Sequence, residues 1–126
     1  MTIAQILNKM IAASNGNIHD IDHLLRVWAY ARTIGELEGL DAETQYLLEV
    51  AAITHDIACP LCREKYGNTN GKYQEQEGAV LVRAFLAGTG MTEAQIARVA
   101  YLVGHHHTLP RTDTVRRASC IFWTRS

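Results

Sequence analysis

The chain has 126 residues, 48% of them hydrophobic and 20% charged, which is globular composition and excludes a disordered or collagen-like protein. One ordinary domain's worth of core is what this length can bury. Twelve Lys and Arg against thirteen Asp and Glu leave a net charge of -1, so no global field draws the protein toward nucleic acid, and neither a nucleic-acid nor a membrane partner is expected.

Ile3, Ile6, Leu7, Met10 and Ile11 recur at helical spacing, and Ser14-Asn15-Gly16-Asn17 supplies turn formers that stop the first helix. Lys9 and Asn8 interrupt this segment, unlike a signal-peptide core, and nothing approaches a membrane span of about 18 apolar residues. The expected location is the cytoplasm. From about Ile21 the apolar period resumes through Leu24, Leu25, Val27, Trp28, Ala31, Ile34 and Leu37, closing at Gly39. Asp41 is suited to cap a third helix, whose broad apolar surface around Leu47, Leu48 and Val50 to Ile53 predicts a central position.

Cys59-Pro60 is read as the break after that helix, and Gly67-Asn68-Thr69-Asn70-Gly71 as an exposed loop. A fourth helix is predicted over about residues 73–86, closed by Gly88 and Gly90. Thr92-Glu93-Ala94-Gln95 then forms a capping box that opens a fifth, running into His105-His106-His107 and ended by Pro110. The expected fold is all-α, a compact bundle of five or six helices forming one domain over residues 1–126.

Six histidines fall in three clusters: His19 with His23, His55 with Asp56, and His105 to His107. Imidazoles and a carboxylate form a donor set suited to Mn, Fe, Zn, Co or Ni, and crossing helices can aim them at one point. A lone histidine on an amphipathic helix is more often a surface or hydrogen-bonded core residue, and three in a row can be a solvated helix end favoured by the dipole. His55-Asp56 is different, because it follows Val50-Ala51-Ala52-Ile53 and an unpartnered Asp there would be costly.

Cys59, Cys62 and Cys120 are an odd count, which argues for reduced thiols over a disulfide framework. Cys59-Pro60-Leu61-Cys62 lacks the preceding strand of a redox motif and the second ligand pair of structural zinc. The expected reading is a loop, with Cys62 partly buried as a small hydrophobe. Arg111, Arg116, Arg117 and Arg125 with Phe122 and Trp123 form a basic end of the kind that is usually solvent-facing.

The order of these residues resembles the HD-domain metal-dependent phosphohydrolase superfamily over about residues 17–108. His19-Asp20-Ile21-Asp22-His23-Leu24-Leu25-Arg26-Val27 is similar to its first helix, with His23 in the place of the first metal ligand. Ala51-Ala52-Ile53-Thr54-His55-Asp56-Ile57 is similar to its signature helix, so the resemblance makes His55 and Asp56 ligands. Lys72-Tyr73-Gln74-Glu75-Gln76-Glu77-Gly78-Ala79 resembles a segment where many two-metal members carry a histidine, and here that place is Gln74. Leu102-Val103-Gly104-His105-His106-His107-Thr108 resembles the later histidine motif, which implies a second-metal or phosphate-contacting role for His105 and His106.

The resemblance implies a divalent metal ion (Mn, Fe, Zn, Co, Ni or Mg) held by His23, His55 and Asp56. The implied activity is phosphohydrolysis of a nucleotide or other small phosphorylated metabolite, with Asp22 or Glu75 the weaker candidates to orient a ligand or water. Arg26 and Lys72 are of the kind that usually faces solvent, although either would help hold phosphate if it lay near the metal. The superfamily's late Asp has no evident counterpart, since Asp113 is the last acidic residue and lies close to Pro110. The segment after about residue 110 is therefore expected to be atypical or truncated, with weakened metal affinity and an apolar surface that a second copy would cover as a homodimer. The contrasting expectation is a catalytically impaired helical module that binds a metabolite or a protein partner.

Overall fold

The computed structural model describes residues 1–105. Among them there are six helices and no strand: α1 (Ile3–Ala13), α2 (Ile18–Leu37), α3 (Ala42–Thr54), α4 (Cys59–Tyr66), α5 (Gly71–Leu86) and α6 (Glu93–Gly104). The all-α bundle expected from the sequence is present, and no helix among the described residues is long and apolar enough to cross a membrane.

Helix starts follow local hydrogen-bond chemistry. The Thr2, Asn17, Asp41, Asn70 and Thr92 side chains each accept from a backbone N–H of the following first turn, and the Thr2 and Thr92 boxes are closed by Gln5 and Gln95. Because Asn17 acts as a cap, α2 begins at Ile18 and not near Ile21, which places His19, Asp20 and His23 on its first two turns.

The stretch expected to be a loop after His55-Asp56 contains α4. Pro60 sits in its first turn, where a missing N–H costs nothing, and Gly67 ends it in the left-handed region at φ 75. Cys62 is fully buried and Cys59 nearly so. The proline starts a helix here.

Every residue of α3 from Leu48 to Thr54 is buried, so this helix is the axis of the molecule. It packs against α2 along an extensive seam, and also against α1 and α6, while α5 lies along α6 and carries α4. Ile6, Leu48, Ile53, Leu86 and Leu102 are fully buried, each stabilising the fold by about 1.5–3 kcal/mol. The α5–α6 crossing is close because it uses small residues: a Cβ on Gly78 would meet Val103 at 3.1 Å, and one on Gly104 would meet Ala79 at 3.2 Å.

Candidate metal centre

α3 ends at Thr54, whose hydroxyl donates back to Val50 O at 2.8 Å. His55 follows in helical conformation as the C-cap, with its ring bonded through Nδ1 to Ala52 O at 2.7 Å. A carbonyl can only accept, so Nδ1 carries the hydrogen and Nε2 is the ring nitrogen turned away from the helix. That Nε2 lies 3.3 Å from Asp56 Oδ2, and His55 is only 2% exposed.

From the facing turn of α2, His23 brings Nε2 to 2.9 Å from the same Asp56 Oδ2. The two imidazoles are tilted at 51° with centroids 5.4 Å apart. One donor atom from each of His23, His55 and Asp56 lies within 4.8 Å of the others. The hydrogen bond that His23 donates to Asp56 raises the His23 pKa above its ordinary value against the opposing effect of burial.

This donor set fits a divalent cation. Two imidazole nitrogens and a carboxylate oxygen, all within 4.8 Å of one another, are the donor types that such an ion takes when the histidines are deprotonated. The Nδ1–carbonyl bond is the support that ligating histidines require, because it fixes both tautomer and ring orientation.

A cavity of about 260 Å³ opens over the cluster, lined by His23 and Asp56 together with His19, Asp20, Asp22, Arg26, Cys59, Arg63, Thr69 and Gln74. Gln74 is buried and donates its amide to Thr69 O, which holds the loop before α5 against the cavity. Asp22 faces Arg26 across one helical turn at 3.2 Å.

Other expected participants sit elsewhere. His105 caps α6, is exposed, bonds through Nδ1 to Tyr101 O at 2.8 Å and stacks on the Tyr101 ring, and it does not contribute to the lining of this cavity. Glu77 is engaged by Lys65 and Tyr66, and neither Glu75 nor Lys72 lines the cavity. His106, His107 and Asp113 lie outside the described residues.

Two cavity residues escaped the sequence analysis. Asp20 appeared only as part of a motif, and Arg63 carried no motif at all. Arg63 follows Cys59 by one turn of α4, so its approach to the cavity could be read only by recognising that helix.

No curated protein and no solved structure matches the chain. A family model does: the HD domain matches residues 20–123, continuing past residue 108, where the resemblance of the motifs ends. Covering well over half of the sequence, and embracing the stretch in which His23, His55 and Asp56 converge, that match places the chain in the HD domain family of metal-dependent phosphohydrolases.

Proposed function

We propose that the protein is a metal-dependent phosphohydrolase acting on a nucleotide or another small phosphorylated metabolite. The observation that carries this reading is the convergence of His23, His55 and Asp56 within 4.8 Å, beside a polar cavity that His23 and Asp56 line. Membership of the HD family supports the reaction class.

His23, His55 and Asp56 would hold the cation, and two imidazoles beside one carboxylate favour Mn, Fe, Co, Ni or Zn over Mg. When bound, the ion supplies Lewis acidity, polarising a phosphoryl oxygen and making a water a better nucleophile near neutral pH. The chain's own residues do the rest. The Ala52 carbonyl keeps the His55 ring aimed at the cluster, and Asp56, close to both imidazoles, offers its carboxylate as the negative donor. Arg26 adds a permanent positive charge to the lining of the cavity, which favours an anionic substrate there.

The test is metal analysis and phosphatase assay of the purified chain with its variants. His55→Ala and Asp56→Ala are each expected to lose stoichiometric metal and to reduce hydrolysis of nucleoside monophosphates to background. Cys59→Ser and Cys62→Ser are expected to keep both. Retention of metal by Asp56→Ala together with its loss in the cysteine variants would move the metal to the cysteines and end this reading.

A further inference from the structure

Arg63 reaches the cavity from α4 and meets Asp20 of α2 through two parallel contacts, Nη1 to Oδ1 at 3.3 Å and Nη2 to Oδ2. The Asp20 side chain is 17% exposed and that of Arg63 42%, so the carboxylate is the anchored partner and the guanidinium the one that faces out. A guanidinium has five N–H donors in a fixed fork, and a carboxylate occupies two. Asp20 therefore fixes the plane of Arg63 and leaves further donors for an anion in the same cavity.

The cavity limits what that anion can be. At about 260 Å³ it is smaller than ordinary ligand pockets of roughly 300–1,000 Å³, and His23 and Asp56 of the cluster line it. A terminal phosphate has three non-bridging oxygens. With one directed at the cluster, two remain for a planar fork. A phosphodiester has two such oxygens, so only one would remain, and it brings half the charge and a second substituent to house.

We propose that Arg63, oriented by Asp20, is the specificity-determining residue of the site, binding the terminal phosphate and selecting dianionic phosphomonoesters over phosphodiesters. This rests on the phosphohydrolase reading and names its substrate class. Arg26 is the weaker candidate for this role, since its pairing with Asp22 is confined to one exposed face of α2, with side chains 60% and 69% exposed.

Calorimetric titration with inorganic phosphate and with dimethyl phosphate tests the proposal on the full chain, in Mn²⁺ and again in chelator, with metal content measured alongside. In Mn²⁺, the unaltered protein is expected to bind phosphate at least about tenfold more tightly than dimethyl phosphate. Arg63→Gln should weaken phosphate binding by about tenfold or more and dimethyl phosphate binding by clearly less, with metal content unchanged. Equal phosphate affinity in the two proteins, or no preference in the unaltered one, overturns the proposal. Should Arg63→Gln fail to fold, Arg63→Lys decides, since it keeps charge and stem but loses the fork, and an undiminished preference for phosphate overturns the assignment.

Asp20→Asn is expected to lose part of the same preference, and the double variant to be no weaker than Arg63→Gln alone. Fully additive losses would show that Asp20 acts separately and does not position Arg63. Binding and turnover separate the two readings. Phosphate captured through Arg63 without hydrolysis of any ester leaves this assignment standing and removes the proposed function. Hydrolysis with phosphate affinity indifferent to Arg63 does the reverse.

Discussion

Cys59 lines the same cavity as Asp20 and Asp56, yet its surroundings quiet its chemistry. Burial pushes its thiol up to about 12, and the neighbouring carboxylates of Asp56 and Asp20 push in the same direction. Burial raises Cys62 as well. At pH 8 a thiol of that strength is thiolate in only about one molecule in ten thousand, and the thiolate is the nucleophile. Iodoacetamide applied to the native protein at about pH 8 should therefore leave both residues unmodified in peptide mass maps, while unfolding in denaturant exposes them to labelling. Rapid native alkylation of Cys59 would contradict this and reopen a redox role for Cys-Pro-Leu-Cys.

At the scale of elements, the α2–α3 seam depends on a glycine. A Cβ on Gly35 would come within 1.9 Å of Gln45 Oε1, and that amide cannot simply swing aside, because its Nε2 donates to Glu49 Oε2 at 2.8 Å. Glu49 is only 8% exposed, and Trp28 Nε1 supplies its other oxygen at 2.9 Å. Gly35→Ala would gain up to about 1 kcal/mol in helix propensity. Against this stand overpacking of about 1–3 kcal/mol and the loss of a hydrogen bond to a buried carboxylate, about 1.5–3 kcal/mol. Chemical denaturation should show a net destabilisation of Gly35→Ala. The double variant with Gln45→Ala should be less destabilised than the sum of the two single variants, because the second change makes room while the hydrogen bond to Glu49 stays lost. A neutral or stabilised Gly35→Ala would mean that the seam is looser than this packing implies.

The same scale explains what the sequence disclosed. The long helices were legible because each repeats its apolar face over several turns and begins at a side chain able to accept a backbone N–H. α4 was not. Eight residues span barely two turns, its buried contacts are two cysteines, and its proline reads as a break unless the helix register is already known. Of the site, the order of His23, His55 and Asp56 was legible because ligand chemistry restricts residue types. The Asp20–Arg63 pair was not, because salt bridges between distant segments have no periodic signature, and its arginine sits on the helix that went unread.

At the scale of the molecule, the candidate donors among the described residues are unevenly distributed. All three lie within residues 23–56, on α2 and in the turn that leaves α3, while α5 and α6 form the other large helix pair and contribute none. Ligand binding stabilises only states in which the binding groups are already assembled. Hydrogen exchange followed by mass spectrometry should thus show Mn²⁺ slowing the amides of residues 18–57 more than those of residues 93–104. Equal slowing everywhere would mean that the helices open only together. With unequal slowing, the arrangement becomes a matter of timing: the α2–α3 hairpin can capture its ion while the rest of the chain is still finding its place, so cation supply would set the order of assembly as well as the chemistry of the finished protein.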